Sequence, residues 1–190
     1  MVHAVEAYTC ARGKNPLSDL FAREALRLLA GSIRKAVTDG TDRAARSAML
    51  HGAYLAGVAF ANAPVGGIHA LAYPLGGHFH VPHGLSNALM MGPVMRFKMP
   101  AASGLYAELA AVIDPTLAPL GSQAAASGLV QTFAAIAADC GIAGGLRAVG
   151  LKAAHLDLLA DEAMKQQRLL VNNPGPITRA DARALYEAAL

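Results

Sequence analysis

Residues 66–95 read GGIHALAYPLGGHFHVPHGLSNALMMGPVM, and the reading of this stretch decides the fold. It lies inside 49 consecutive residues, between Arg46 and Arg96, that hold no Asp, Glu, Lys or Arg. A run so free of charge is either a membrane span or a buried core. A span needs about 20 predominantly apolar residues. Here Asn62, Pro64, His69, Pro74 and two glycine pairs interrupt the run, and no Trp/Tyr belt or basic cluster frames it. The stretch therefore reads as a buried helical core around a histidine-bearing site, with no membrane partner.

Five of the seven histidines fall in this charge-free run: His51, His69, His78, His80 and His83. Fourteen positions separate His69 from His83. On one straight helix they would stand about 21 Å apart, too far to share an ion. Pro74, Gly76, Gly77 and Pro82 argue against a straight helix. The chain is expected to turn after about residue 77 and re-enter a helix near 83, with Pro82 at its first turn. That fold-back brings His69 and His83 together as neutral imidazoles, the form that binds a divalent metal. Gly84 leaves the approach uncrowded. His51 and His155 read as structural, whereas His78 and His80 alternate in the loop and either line a substrate mouth or are simply solvated.

Outward from this stretch the pattern is helical throughout, rich in Ala, Leu, Arg, Met and Glu. Helices are predicted over 2–12, 17–38, 42–62, 67–76, 83–98, 101–113, 122–140, 155–169 and 179–189. Phe21, Ala25, Leu28, Leu29 and Ile33 repeat at helical spacing, and Asp42 and Thr178 stand where N-caps belong. Gly13, Gly40, Gly121 and Gly144-Gly145 mark breaks. No segment alternates like a half-buried strand, so the fold class is all-α: a bundle of eight or nine helices in one 1–190 domain.

Composition removes several function classes. With 54% hydrophobic and 15% charged residues the chain is not disordered. Two distant cysteines, Cys10 and Cys140, exclude a disulfide scaffold and place the chain in a reducing, cytoplasmic compartment. The basic residues are scattered without aromatics between them, so no nucleic acid partner is expected. No phosphate-binding glycine loop and no GxSxG elbow is present. Met1–Glu6 has no signal-peptide pattern and reads like the middle of an amphipathic helix, as though the sequence began inside a larger protein.

Three segments carry a resemblance. Residues 66–95 are similar to the signature of the iron-containing alcohol dehydrogenases, of the form G-x-x-H-x-x-x-H-P-x-G followed by x-P-H-G and a run ending in P-x-V-M. HAVEAYTCARGKNPLSD (3–19) resembles that family's H-A-x-E-x-Y segment, and LLVNNPGPITRADARALYEAAL (169–190) its closing N-P-R-x-x-T stretch. The resemblance is collinear over the whole chain. It implies a two-domain enzyme, with an N-terminal α/β domain that carries NAD or NADP and a helical, dehydroquinate synthase-like C-terminal domain that carries a divalent metal. This chain corresponds to the helical domain alone.

By motif position the resemblance makes His3, His69 and His83 the metal ligands. It places a fourth ligand, an Asp, four residues before His3 and hence ahead of Met1, so the chain is expected to be a truncated piece, inactive alone. Many relatives have a histidine where Tyr73 stands, in a catalytic proton-shuttling position. A phenol, ordinarily titrating near about 10, is a weaker base at neutral pH. The implied chemistry is NAD(P)-dependent interconversion of an alcohol and an aldehyde or ketone, with Fe(II) as the family's metal. Imidazole ligands suit Zn(II) or Mn(II) as well. The implied partners are a small-molecule alcohol or aldehyde and a second copy in a homodimer. Two alternatives stay open: a non-catalytic helical oligomerisation or binding module, and a three-histidine metal hydrolase, for which Glu6 is the only nearby base.

Overall fold

The computed structural model describes residues 1–142 and 144–190, and among these it contains helices and no strand. Among the described residues nine α-helices follow one another: α1 (Val2–Tyr8), α2 (Pro16–Thr38), α3 (Arg43–Asn62), α4 (Gly67–Phe79), α5 (His83–Ile113), α6 (Ser122–Asp139), α7 (Leu156–Met164), α8 (Gln167–Leu170) and α9 (Arg179–Ala189). The all-α expectation holds. α2 and α3 form an antiparallel hairpin, and the short α1 lies against α2, α3 and α5. α5 runs through the bundle and touches α1, α2, α4, α6 and α9, while α4 packs on α5, α7 and α8. One contiguous core joins these helices, centred on side chains such as Leu26, Ile68, Leu71, Met90, Met95 and Tyr106.

The starts of α2, α3 and α9 are written locally. Asn15 accepts from the Ser18 amide ahead of Pro16, and Asp42 accepts from the Ala45 amide. Thr178 and Asp181 form a reciprocal capping box at α9.

The ends are less legible. The predicted helices 83–98 and 101–113 are one 31-residue helix, α5, which carries Pro93 and Pro100 in its interior. A proline there costs about 3 kcal/mol. The side chains beyond Pro100 continue the buried face with Ala102, Tyr106, Leu109 and Ala110, and their burial offsets that cost. The predicted 155–169 helix breaks at Lys165 into α7 and α8, and α1 ends at Tyr8 rather than at 12.

α4 runs on through Pro74 to Phe79 and closes at His80, whose φ of 55° is left-handed. The helix thus ends three residues later than the predicted 76, and Val81 is buried behind the turn. No single described helix is long and apolar enough to cross a membrane. α3 and α4 pass that test only when taken together, and they meet at a bend of 108°.

Candidate metal centre

Three elements deliver one histidine each: α1 gives His3, the first turn of α4 gives His69, and the first residue of α5 is His83. One ligand nitrogen from each ring lies within 4.8 Å of the other two. The Nε2 atoms of His3 and His69 are 3.2 Å apart. Burial is graded across the group, with His69 fully inside, His3 half-buried and His83 exposed, so the cluster opens on the His83 side.

Phe60 of α3 stacks on the His3 ring at 4.4 Å between centroids. Asn87, one turn into α5, donates from Nδ2 to the His83 carbonyl and rests against the His83 ring. Burial, together with the neighbouring charges of His69, the terminal amine and His83, pushes His3 down to about 4. Burial and His69 also lower His83. Both rings therefore hold a free lone pair at neutral pH, and three convergent imidazoles are a donor set that fits a divalent transition-metal ion.

Beneath His69 lies a residue whose part in the site the sequence did not reveal. Glu6 is buried, and its Oε2 stands 2.6 Å from His69 Nδ1. Its Oε1 accepts from the Ile68 amide at 2.6 Å and faces Lys98 Nζ at 3.6 Å. Lys98, a buried lysine of α5, is missed by any local signal as well. Burial pushes the Glu6 carboxyl up, but the His69 hydrogen bond, Lys98 and the Ile68 amide outweigh it and bring it to about 2. Burial pushes Lys98 down despite Glu6 beside it.

The start of α4 has no cap of its own, so Glu6 supplies one from another helix. A second comes from the tail: Asn173 Oδ1 accepts from the Gly67 amide, and Asn172 Nδ2 donates to the Val65 carbonyl. A side chain at Gly67 would place its β-carbon 2.7 Å from both Asn173 Oδ1 and Ile177 Cδ1, so these two tail side chains would have to move from the start of α4.

The remaining histidines stand apart from the cluster. His78 occupies the last turn of α4, not a loop, where it faces Glu162 at 3.6 Å, and His80 is the exposed left-handed closure. Neither belongs to the three-histidine group. His51 is exposed, and His155 accepts from the Lys152 amide at 3.2 Å. Tyr73 stands beside the cluster, its ring centroid 6.2 Å from that of His69 and 6.0 Å from that of His83.

Residues 1–190 match the model of the Fe-containing alcohol dehydrogenase family, C-terminal. The chain belongs to this family. It is 42% identical over 189 residues to long-chain-alcohol dehydrogenase 1 of Geobacillus thermodenitrificans, covering 100% of this chain and 48% of that protein. It is 33% identical to 1,3-propanediol dehydrogenase of Klebsiella pneumoniae over the same share of each. Among solved structures, a 1,3-propanediol oxidoreductase superposes with a TM-score of 0.95 at 33% identity, over 100% of this chain and 49% of that one. An alcohol dehydrogenase from Oenococcus oeni does so with a TM-score of 0.95 at 32% identity, over the same shares. The chain thus spans about half the length of the relatives it matches.

Proposed function

We propose that the chain is the metal-binding part of an NAD(P)-dependent alcohol dehydrogenase, with Fe(II) held by His3, His69 and His83. The observation that carries this reading is the convergence of three ligand nitrogens within 4.8 Å, from three separate helices, at a site open on one side. When bound, the ion supplies Lewis acidity toward the alcohol or carbonyl oxygen, and the nicotinamide carries the hydride.

The chain's own residues bind and orient. His69 is the inner anchor, His3 is fixed by the Phe60 stack, and His83 stands at the open rim next to Gly84. Tyr73, on the His69 helix and beside the His83 ring, is the group in place to hold or pass a proton at its phenol oxygen. The similarity to a long-chain-alcohol dehydrogenase and a 1,3-propanediol dehydrogenase supports primary alcohols and diols, and the corresponding aldehydes, as the substrate class. In the whole protein a separate dinucleotide-binding domain is proposed to hold NAD or NADP. A homodimer is the proposed assembly, for which the exposed Leu17, Leu20, Leu50 and Tyr54 offer apolar surface. The two free thiols, Cys10 and Cys140, fit a cytoplasmic setting.

The hydrolase alternative needs Glu6 as a base beside the ligands, but both of its oxygens are already engaged by His69, Ile68 and Lys98. Equilibrium dialysis of the purified chain against Zn(II) or Fe(II) tests the reading. One ion per chain is expected, and His69→Ala or His83→Ala should each weaken binding by more than about 100-fold, beyond the usual effect of a supporting residue. Unchanged binding in both variants would refute the metal assignment. The chain by itself should not oxidise alcohols, because nothing positions the hydride acceptor.

A further inference from the structure

The carboxylate of Glu6 is surrounded by donors on every side. Its Oε1 takes the Ile68 amide at 2.6 Å and faces the Lys98 ammonium at 3.6 Å. Its Oε2 meets His69 Nδ1 at 2.6 Å and the His69 amide at 3.4 Å. Glu6 and Lys98 side chains are each 1% exposed, so no water substitutes for a lost partner at little cost. The two amides belong to the first turn of α4, where the backbone carries partial positive charge. Neither amide can reverse its direction.

We propose that Glu6 is a positioning residue that fixes His69 in the tautomer with its proton on Nδ1, so that Nε2 offers a lone pair to the histidine cluster. This rests on the metal reading given above. The reason lies in the acceptor arrangement. An imidazole next to an anion that can only accept must donate to it, and a neutral ring that donates from Nδ1 is an acceptor at Nε2. The same contacts hold the His69 ring in place, because Glu6 grips its side chain and its backbone together. Lys98 is the counter-charge that keeps the buried anion affordable, and it approaches from α5, the helix that also carries His83. A carboxylate behind a ligating histidine is a recurring way to orient the ring and raise its basicity.

Glutamine is nearly the same size but cannot serve. Its amide has one oxygen and one NH2, whereas the site presents donors to both atoms. If the NH2 faces Ile68 and Lys98, three donors collide. If it faces His69, Nδ1 must accept, and the ring's proton moves to Nε2, into the cluster.

Long-range 1H–15N correlation spectra of the metal-free wild-type chain at pH 8 read the tautomer directly. The expected result is a protonated Nδ1 and a bare Nε2 on His69, and a proton on Nε2 overturns the proposal. This measurement decides even if a variant fails to fold. In Glu6→Gln the spectrum should show a gain of the Nε2–H form, with Zn(II) affinity by chelator competition down about 10–100-fold. Glu6→Asp, which keeps two accepting oxygens, should restore the wild-type tautomer and part of the affinity. A folded Glu6→Gln chain with wild-type tautomer and wild-type affinity refutes the positioning role. Loss of Zn(II) binding in His69→Ala alongside that result would leave the metal reading standing. Unchanged Zn(II) binding in His69→Ala would remove that reading, whatever the tautomer.

Discussion

Two contacts to a carboxylate in this molecule have the same length and opposite significance. Glu6 Oε2 meets His69 Nδ1 at 2.6 Å with both side chains at most 2% exposed. Arg179 Nε meets Asp161 Oδ1 at 2.6 Å with the side chains 48% and 56% exposed. Around Arg179, Asp157 and Arg183 complete a surface network in which water can replace any member. Around Glu6 every partner is fixed and dry. Distance alone therefore says little about what a pair does. The inner pair specifies a ring orientation and caps a helix, while the outer network covers the junction of α7 and α9 with interchangeable charges.

The sharpest way to break this contrast is to remove a partner from the inner group. Lys98→Met should lower unfolding stability by about 3–5 kcal/mol in urea titrations, because it leaves Glu6 buried without its counter-charge. A loss below about 1 kcal/mol would put the inner pair in the same class as the outer one. The double change Glu6→Leu with Lys98→Met should recover much of that stability, since apolar replacements of buried ion pairs are often neutral. It should not recover Zn(II) binding, because His69 then has no acceptor behind it. The two readouts separate what the pair does for folding from what it does for the site.

Acidification sharpens the comparison at intermediate scale. His3 sits at about 4 in the fold against an ordinary 6.5, so the unfolded chain binds the extra proton first. Its contribution is fully present above pH 6.5 and is lost as pH falls through about 4. Glu6 sits at about 2 against an ordinary 4.5, so its contribution is present above pH 4.5 and is lost only as pH falls toward 2. Metal-free chain melted across pH 8 to 2 should thus decline in two stages, the first of which shrinks in His3→Phe, with His83 supplying the remainder. A flat profile between pH 6.5 and 4 would contradict the burial of His3.

At the outer site the effects should be small. Thr178→Ala removes the hydroxyl that caps α9 and should cost about 1 kcal/mol. Arg179→Ala should leave the thermal midpoint unchanged, and 1 M salt should not alter that result. A marked loss on replacing Arg179 would mean that the α7–α9 surface network carries more than its exposure implies.

Much of this architecture was legible before any coordinate. Asp42 and Thr178 announced helix starts, because a cap is a contact between residues three apart and the sequence shows both members. Pro74, Gly76, Gly77 and Pro82 announced the fold-back that brings His69 to His83, and only the family resemblance added His3. Pro100 misled, because the cost of a proline is local and visible, whereas the burial that offsets it depends on what packs against Tyr106 and Leu109. Glu6 was seen only as a possible base one turn from His3. Nothing in the neighbourhood of residue 6 reveals that residues 68, 69 and 98 will surround it.

The sequence by itself determined the helical class, the burial of residues 65–75 within the charge-free run, and the turn between α4 and α5 that brings His69 to His83. These follow from composition, periodicity and backbone restriction, which act within a few residues. The tertiary structure alone decided which donors enclose Glu6, that Lys98 is buried opposite it, and that Asn172 and Asn173 close over the start of α4. Those contacts join positions 62 to 107 residues apart in the chain. At such separations no local preference selects the partner, and the requirement that buried polar groups be satisfied can be met only once the helices have packed.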